Sequence, residues 1–217
     1  MNIFIDLESI PAGDPIDPMT LAPPGNISKP ETIAAWYKDK AIGIAAEKYR
    51  ARALDSMTGE IICIGYAGGE GQVKCIYQDG DTWCNEEDIL ASLEITIQSI
   101  RDINSPITFI GWNIVAFDIP FIWRKAIKYG LTGLRDAFNR DRYKGNHLDL
   151  MLAWGADWKD FRKLDDVARF LGLPGKLGNL TGATIYDAYL EGRVDEITAY
   201  CKNDIETVRA IYRKIFE

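Results

Sequence analysis

The chain has 217 residues, of which 47% are hydrophobic and 26% charged, and a net charge of −7. That length supports a full core without disulfide staples, and the composition excludes a fibrous or disordered chain. Four cysteines without a CxxC pair and a single histidine argue against a structural zinc site and point to a reducing compartment. No stretch approaches a membrane span, and the first apolar run is too short and too acidic for a signal peptide, so the expected location is the cytoplasm.

Residues 2–8 (NIFIDLE) read as a strand. Residues 11–30, rich in proline and glycine, are expected to be irregular. A helical pattern then runs from Ser28 and Pro30 to about Leu54, with Ile33, Trp36, Tyr37, Ile44 and Tyr49 as its larger apolar residues. EIICIGYAGG and QVKCIYQD are two β-rich runs separated by glycines, hence a hairpin. Asn85 is placed to cap a helix through about Ile103, with a stripe at Ile89, Leu93, Ile97 and Ile100. PITFIGWN reads as a short buried strand, and Pro120 starts a helix reaching about Tyr129. KLDDVARFLGL reads as a helix ended by Gly172 and Pro174. A glycine-rich loop over 175–182, a helix near 184–190 and a last helix from about Val194 to Phe216 complete the chain. These elements predict one α/β layered domain over 1–217, with a loop–helix insertion at about 11–56. Strand 1 is expected at the centre, the hairpin on one side and strand 4, parallel, on the other.

Three places break the apolar patterning. Strand alternation puts Asp6 and Glu8 on one face of the first strand, together with Phe4. At roughly 5 Å and an effective dielectric near 20, two carboxylates repel by about 3 kcal/mol, so a shared proton or a cation must offset them. In the last helix Tyr200 and Asp204 are four residues apart and share a side, and Asp204 sits on the edge of the apolar stripe. A partly exposed aspartate would explain it equally well. Asp118 follows the buried strand just before Pro120; a helix cap accounts for it, but less well for the neighbouring Asn113 and Phe117.

Charge is distributed unevenly. Residues 29–53 hold six basic and three acidic residues, and residues 122–144 hold seven and two, with Tyr129, Phe138 and Tyr143 interleaved. Either run could be a solvated helix face or a path for a nucleic-acid strand.

DLE at 6–8, NIVAFD at 113–118 and YCKND at 200–204 resemble, in order, the three exonuclease motifs of the DEDD superfamily, tyrosine subclass. The second motif is similar to the proofreading domain of family B DNA polymerases. PPGNISKPETIAAW, LDSMTGEIICIGYA, HLDLM and GLPGKLG extend the resemblance to stand-alone bacterial and phage 3′–5′ exonucleases over nearly the whole chain. The expectation is therefore an exonuclease without a polymerase segment.

The resemblance implies an RNase H-like fold with a central mixed sheet flanked by helices. It implies two Mg²⁺ or Mn²⁺ ions held by Asp6, Glu8, Asp118 and Asp204. Asp6 would bridge both ions, Glu8 and Asp204 would serve the water-side ion, and Asp118 would act through the outer shell. Tyr200 would orient the attacking water. The implied partner is single-stranded DNA or a DNA 3′ end, with Leu7, Phe117 and Trp112 as base-packing candidates; Leu7 and Trp112 could instead be core residues, the reading favoured for Trp112. Asn113 would contact the sugar or brace its loop, and Lys176 would reach a phosphate. A polymerase or other replication and repair proteins, in a bacterium or its phage-infected cytoplasm, are the expected associates. RNA hydrolysis on the same fold, or a non-catalytic binding or polymerase-accessory role, are the alternatives; four converging carboxylates argue against the last. His147 is expected to be structural or peripheral, and Asp149 to orient the site or bind a backbone group without being a primary ligand.

The basic, aromatic helix of the insertion (Trp36, Tyr37, Lys38, Lys40, Lys48, Tyr49, Arg50) is expected to border the substrate cleft and help hold the strand, the alternatives being a packing arm or an oligomer contact. Charge reversal at Lys48 and Arg50 should then flatten the dependence of DNA affinity on salt concentration, measured by fluorescence anisotropy; an unchanged slope would rule that role out.

Overall fold

The computed structural model describes residues 1–78, 84–103, 106–141, 144–155, 159–175 and 178–217. The chain divides into two compact units, one of Met1–Ser9 with Ile61–Glu217 and one of Ile10–Glu60.

The larger unit is built on a five-stranded sheet in the order β3-β2-β1-β4-β5. The strands are β1 (Asn2–Pro11), β2 (Gly59–Gly68), β3 (Lys74–Tyr77), β4 (Thr108–Gly111) and β5 (His147–Asp149). β1 lies at the centre and pairs in parallel with β4, which pairs in parallel with β5; β2 and β3 form the antiparallel hairpin. The strand alternation of β1 sorts its side chains into two cores. Ile3, Ile5 and Leu7 join the core containing Ile89, Leu93 and Ile97 of α3 (Glu86–Ile103) and Phe121 and Ile122 of α4 (Asp118–Lys128). Phe4 joins the opposite core with Leu164 and Val167 of α7 (Leu164–Phe170) and Ile205, Val208 and Ile211 of α9 (Val194–Phe216). Helices thus cover both faces of a mixed sheet, the arrangement of an RNase H-like fold.

Asn85 and Asp88 cap α3 reciprocally: Asn85 Oδ1 accepts from the Asp88 N–H at 3.1 Å, and Asp88 Oδ2 from the Asn85 N–H at 3.1 Å. Gly172, at φ +68°, ends the α7 segment in the left-handed conformation expected for it. Three short elements escaped the sequence reading: α5 (Thr132–Ala137), β5, and α6 (Leu150–Trp154). None is long enough to show a hydrophobic period. The last helices, α8 (Ile185–Leu190) and α9, fall where expected. Among the described residues no helix is long and apolar enough to cross a membrane.

In the unit Ile10–Glu60 the helix expected from Ser28 to Leu54 is interrupted. It consists of α1 (Pro30–Trp36), a π turn (Tyr37–Ala41), α2 (Ile42–Ala51) and a final 3₁₀ turn (Arg52–Leu54). Its buried residues Trp36, Ala41 and Ala45 are five and then four apart. An uninterrupted α-helix would rotate Ala41 off that face, and the wider π turn absorbs the surplus residue. The aromatic hydroxyls hold the proline-rich segment: Tyr37 donates to the Leu21 carbonyl at 2.8 Å and Tyr49 to that of Gly13 at 2.9 Å. Arg52 donates to the carbonyls of Ala12 and Asp14.

The second basic run is partly internal. Lys125 is only 4% exposed and pairs with Glu86 at 2.9 Å. Glu86 also accepts from the Ile61 N–H at 2.8 Å and the Tyr129 hydroxyl at 2.7 Å. Arg140 lies over the Trp123 ring, and Tyr143 falls outside the described residues. Lys125 and Tyr129 therefore bind α4 to α3 and the sheet instead of lining a strand path. Glu86→Ala should lower unfolding free energy in urea by about 3–5 kcal/mol, because it leaves the Lys125 ammonium buried and unpaired. The double variant Glu86→Ala with Lys125→Met should recover part of that loss.

Candidate active site

The three motifs meet at the central strand. β1 brings Asp6, Leu7 and Glu8; the turn after β4 and the start of α4 bring Asn113, Phe117 and Asp118; α9 brings Tyr200 and Asp204. Glu8, Asp118, Tyr200 and Asp204 are all buried, with exposures of 3–8%. Carboxylate oxygens of Asp6 and Glu8 and the Cys201 sulfur lie within 4.8 Å of one another. Asp6 is half-buried, and its buried Oδ2 has no hydrogen-bond partner among the described residues.

This crowding controls protonation. Burial, followed by the charges of Glu8, Asp118 and Asp204, pushes the Asp6 carboxyl well above its ordinary range. Burial pushes Asp118 up to about 7, against the stabilising hydrogen bond from the Leu7 N–H. That bond, 3.0 Å long to Asp118 Oδ1, ties the second motif to the first. Burial and then the Asp204 charge raise the Tyr200 phenol, which hydrogen-bonds Asp204. A phenol beside a carboxylate is the donor, so Tyr200 keeps its proton and is no general base.

Asp118 is the first residue of α4 with the residue before it, Phe117, as a cap that makes no side-chain hydrogen bond. The helix-cap account of Asp118 is thus replaced by a cross-motif tether. The turn leading to it is shaped by Asp149. One carboxylate oxygen accepts from the Asn113 N–H at 2.9 Å, the other from the Val115 N–H at 3.1 Å, while Met151 and Leu152 also donate to Asp149 at the start of α6. Asn113 has a φ of 62°, the left-handed region that asparagine tolerates better than most residues. Its carbonyl accepts from the Phe117 N–H at 3.1 Å. Gly111 is required nearby: a Cβ there would lie 2.0 Å from Ile114 and 2.8 Å from the Ile5 carbonyl.

A cavity of about 620 Å³ opens beside the acids, lined among others by Asp6, Asp204, Trp112, Asn113, Arg162 and Lys163. Trp112 therefore belongs to the cavity wall more than to the core, and its Nε1 donates to the Arg162 carbonyl at 2.9 Å. Leu7 goes the other way. Its side chain is buried in the core with Ile3 and Ile5, and its contribution to the site is its backbone N–H. Phe117 is half-buried and meets Phe121 edge-on at 5.6 Å between ring centres. Lys176 lies outside the described residues. Arg162 and Lys163 were missed in the sequence because they precede α7 as an ordinary charged pair. His147 lies in β5, opposite Phe109 of β4.

The buried acids set a pH dependence for the metal-free protein. Asp118 binds its proton more tightly folded than unfolded, where 3.8 applies, so stability is greatest below about 4 as far as this group is concerned and falls as pH rises through about 7. Asp6 acts in the same sense. Urea midpoints of metal-free protein should fall between pH 5 and 8, and Asp118→Asn should flatten that fall.

Comparison with known proteins bears on this geometry. A comparison with curated protein sequences found no match. Among solved structures, the family B DNA polymerase from the hyperthermophilic archaeon Pyrobaculum calidifontis matches with a TM-score of 0.61 at 14% identity, over 99% of this chain and 24% of that one. The chain thus spans about a quarter of that polymerase's length, and the likeness supports the RNase H-like fold. A family profile described as a predicted 3′–5′ exonuclease related to the exonuclease domain of PolB matches residues 60–216, which hold Asp118, Tyr200 and Asp204. The chain belongs to this family of predicted 3′–5′ exonucleases.

Proposed function

We propose that the protein is a metal-dependent 3′–5′ exodeoxyribonuclease that shortens single-stranded DNA from its 3′ end and releases nucleoside 5′-monophosphates. The observation that carries this reading is the convergence of Asp6, Glu8, Asp118 and Asp204, with a buried Asp6 oxygen that no group among the described residues bonds. Oxygen donors of this kind suit Mg²⁺ or Mn²⁺, and the mutual repulsion of the acids is what a divalent cation relieves. Asp6, Glu8 and Asp204 would hold the ions, with Asp118 steadying β1 through Leu7. Two bound ions supply an activated water and stabilisation of the leaving oxygen.

The chain's own groups do the remaining work. The Tyr200 hydroxyl, its proton engaged by Asp204, offers an oxygen lone pair that fixes the orientation of the attacking water. Trp112 and Phe117 offer aromatic faces for terminal bases, and Asn113 an amide for the sugar. Arg162 and Lys163 place cations along the cavity for backbone phosphates. Such an enzyme would serve DNA ends made by replication or repair proteins in the cytoplasm of a bacterium or its phage-infected cell.

Digestion of 5′-labelled single-stranded DNA, beside a matched RNA, tests the reading. A ladder shortening from the 3′ end is expected with Mg²⁺ or Mn²⁺ and none with EDTA. Asp6→Ala and Asp204→Ala should abolish it while folding normally, and metal should raise the melting temperature of the native protein but not of Asp6→Ala. Lys163→Ala should raise KM more than it lowers kcat. Full activity in pure Asp6→Ala, or no cleavage by folded, metal-loaded protein, would overturn the proposal.

A further inference from the structure

Three of the four cysteines come together beside the acids, with Cys201 standing at the border between the two groups. Cys63 of β2, Cys75 of β3 and Cys201 of α9 place their sulfurs within 4.8 Å of one another, and none is in a disulfide. Cys75 stands opposite Gly65, and Cys63 is two residues from that glycine, so both thiols rise from the same face of the hairpin. α9 lays Cys201 onto that face. The bare Gly65 makes the meeting possible: a Cβ there would lie 2.7 Å from the Cys201 sulfur and 3.5 Å from that of Cys75.

We propose that Cys63, Cys75 and Cys201 form a binding site for one thiophilic cation of the Zn²⁺, Cd²⁺ or Cu⁺ class. A cation with metal–sulfur bonds near 2.3 Å sets sulfur–sulfur separations of about 4 Å, within the spread already present. Soft sulfur donors select such ions against Mg²⁺ and Mn²⁺, so the two neighbouring clusters take different metals. Cys63 and Cys201 are buried, whereas Cys75 is half-buried on the outermost strand of the sheet, which gives an ion its approach. The other two thiols hold the Cys75 sulfur below its ordinary thiol range, with Lys202 adding a positive charge. Binding sends the remaining thiol protons to solvent. The spacing 63, 75 and 201 hides such a site from any motif search, because its ligands come from three separate elements.

The test is a titration of Cd²⁺ into the reduced, metal-free full chain, followed by the ultraviolet thiolate-to-cadmium charge-transfer band. The expected result is saturation at one equivalent. The band should be lost in Cys75→Ser and Cys63→Ser, and retained in Cys84→Ser and Asp6→Asn. Cys75→Ser is the decisive variant, because its half-buried position tolerates serine, and circular dichroism checks its fold. No band in the native chain, a band that survives Cys75→Ser, or one abolished by Asp6→Asn would overturn the proposal. The first outcome would leave the three thiols as packing groups.

Discussion

The constraint on which this protein turns is electrostatic: acids are buried against one another at the centre of a sheet. Nothing in the packing of Ile3, Ile5 and Leu7 requires this, and an apolar pair in place of Asp6 and Glu8 would give a more stable fold. The cost persists because surrounding groups hold the acids in place. Burial on both faces of β1 fixes the strand, and the large core on each side supplies stability that a local repulsion of a few kcal/mol does not exhaust. On the proposed metal-dependent reading, a site strained by its own charges is already arranged for cations, so little reorganisation would remain when they arrive.

The precision of the arrangement comes from backbone amides as much as from side chains. Asp118 is aimed by the Leu7 N–H, and the turn before it is gathered by Asp149, which receives amides from two separate elements. A carboxylate that collects several N–H groups is a compact device for fixing a loop that has no regular structure of its own. It also explains why Asn113 can sit in a left-handed conformation: the bonds on both sides over-determine it. Glu86 does the same on the other side of the sheet, where it joins Ile61, Lys125 and Tyr129.

Much of this was legible in the sequence, for physical reasons that can be named. β1, α3 and α9 have clear periods, so acids that violate the period stand out at Asp6, Glu8 and Asp204. The central place of β1 and the parallel β4 followed from element order. Local pattern could not show what arises only from convergence. β5 and α6 are too short to carry a period, so Asp149, though expected to orient the site or bind a backbone group, could not be assigned the amides it collects from two elements. Lys125 looked like part of an exposed basic face, although a partner 39 residues earlier draws it inside. Leu7 lies in a core and Trp112 on the cavity wall, because which residues fill the two cores beside the first strand and where the chain turns after β4 are tertiary facts. The aromatic residues Tyr37 and Tyr49 were read for their rings, whereas their hydroxyls turn out to fasten a loop.

The wide sequence separation of the site's parts has a consequence for how the protein is made. Asp118 meets Leu7 across 111 positions, and Cys201 meets Asp6 across 195. Contacts of such span close late and slowly, since the loop entropy is lost before the contact is gained. On the ribosome, β1 emerges long before α9, so the two meet only once the intervening chain has been made. A nascent or truncated chain lacking α9 has neither Tyr200 nor Asp204. On the proposed nuclease reading, cleavage is thereby withheld until α9 has been made, and topology acts as a safety catch.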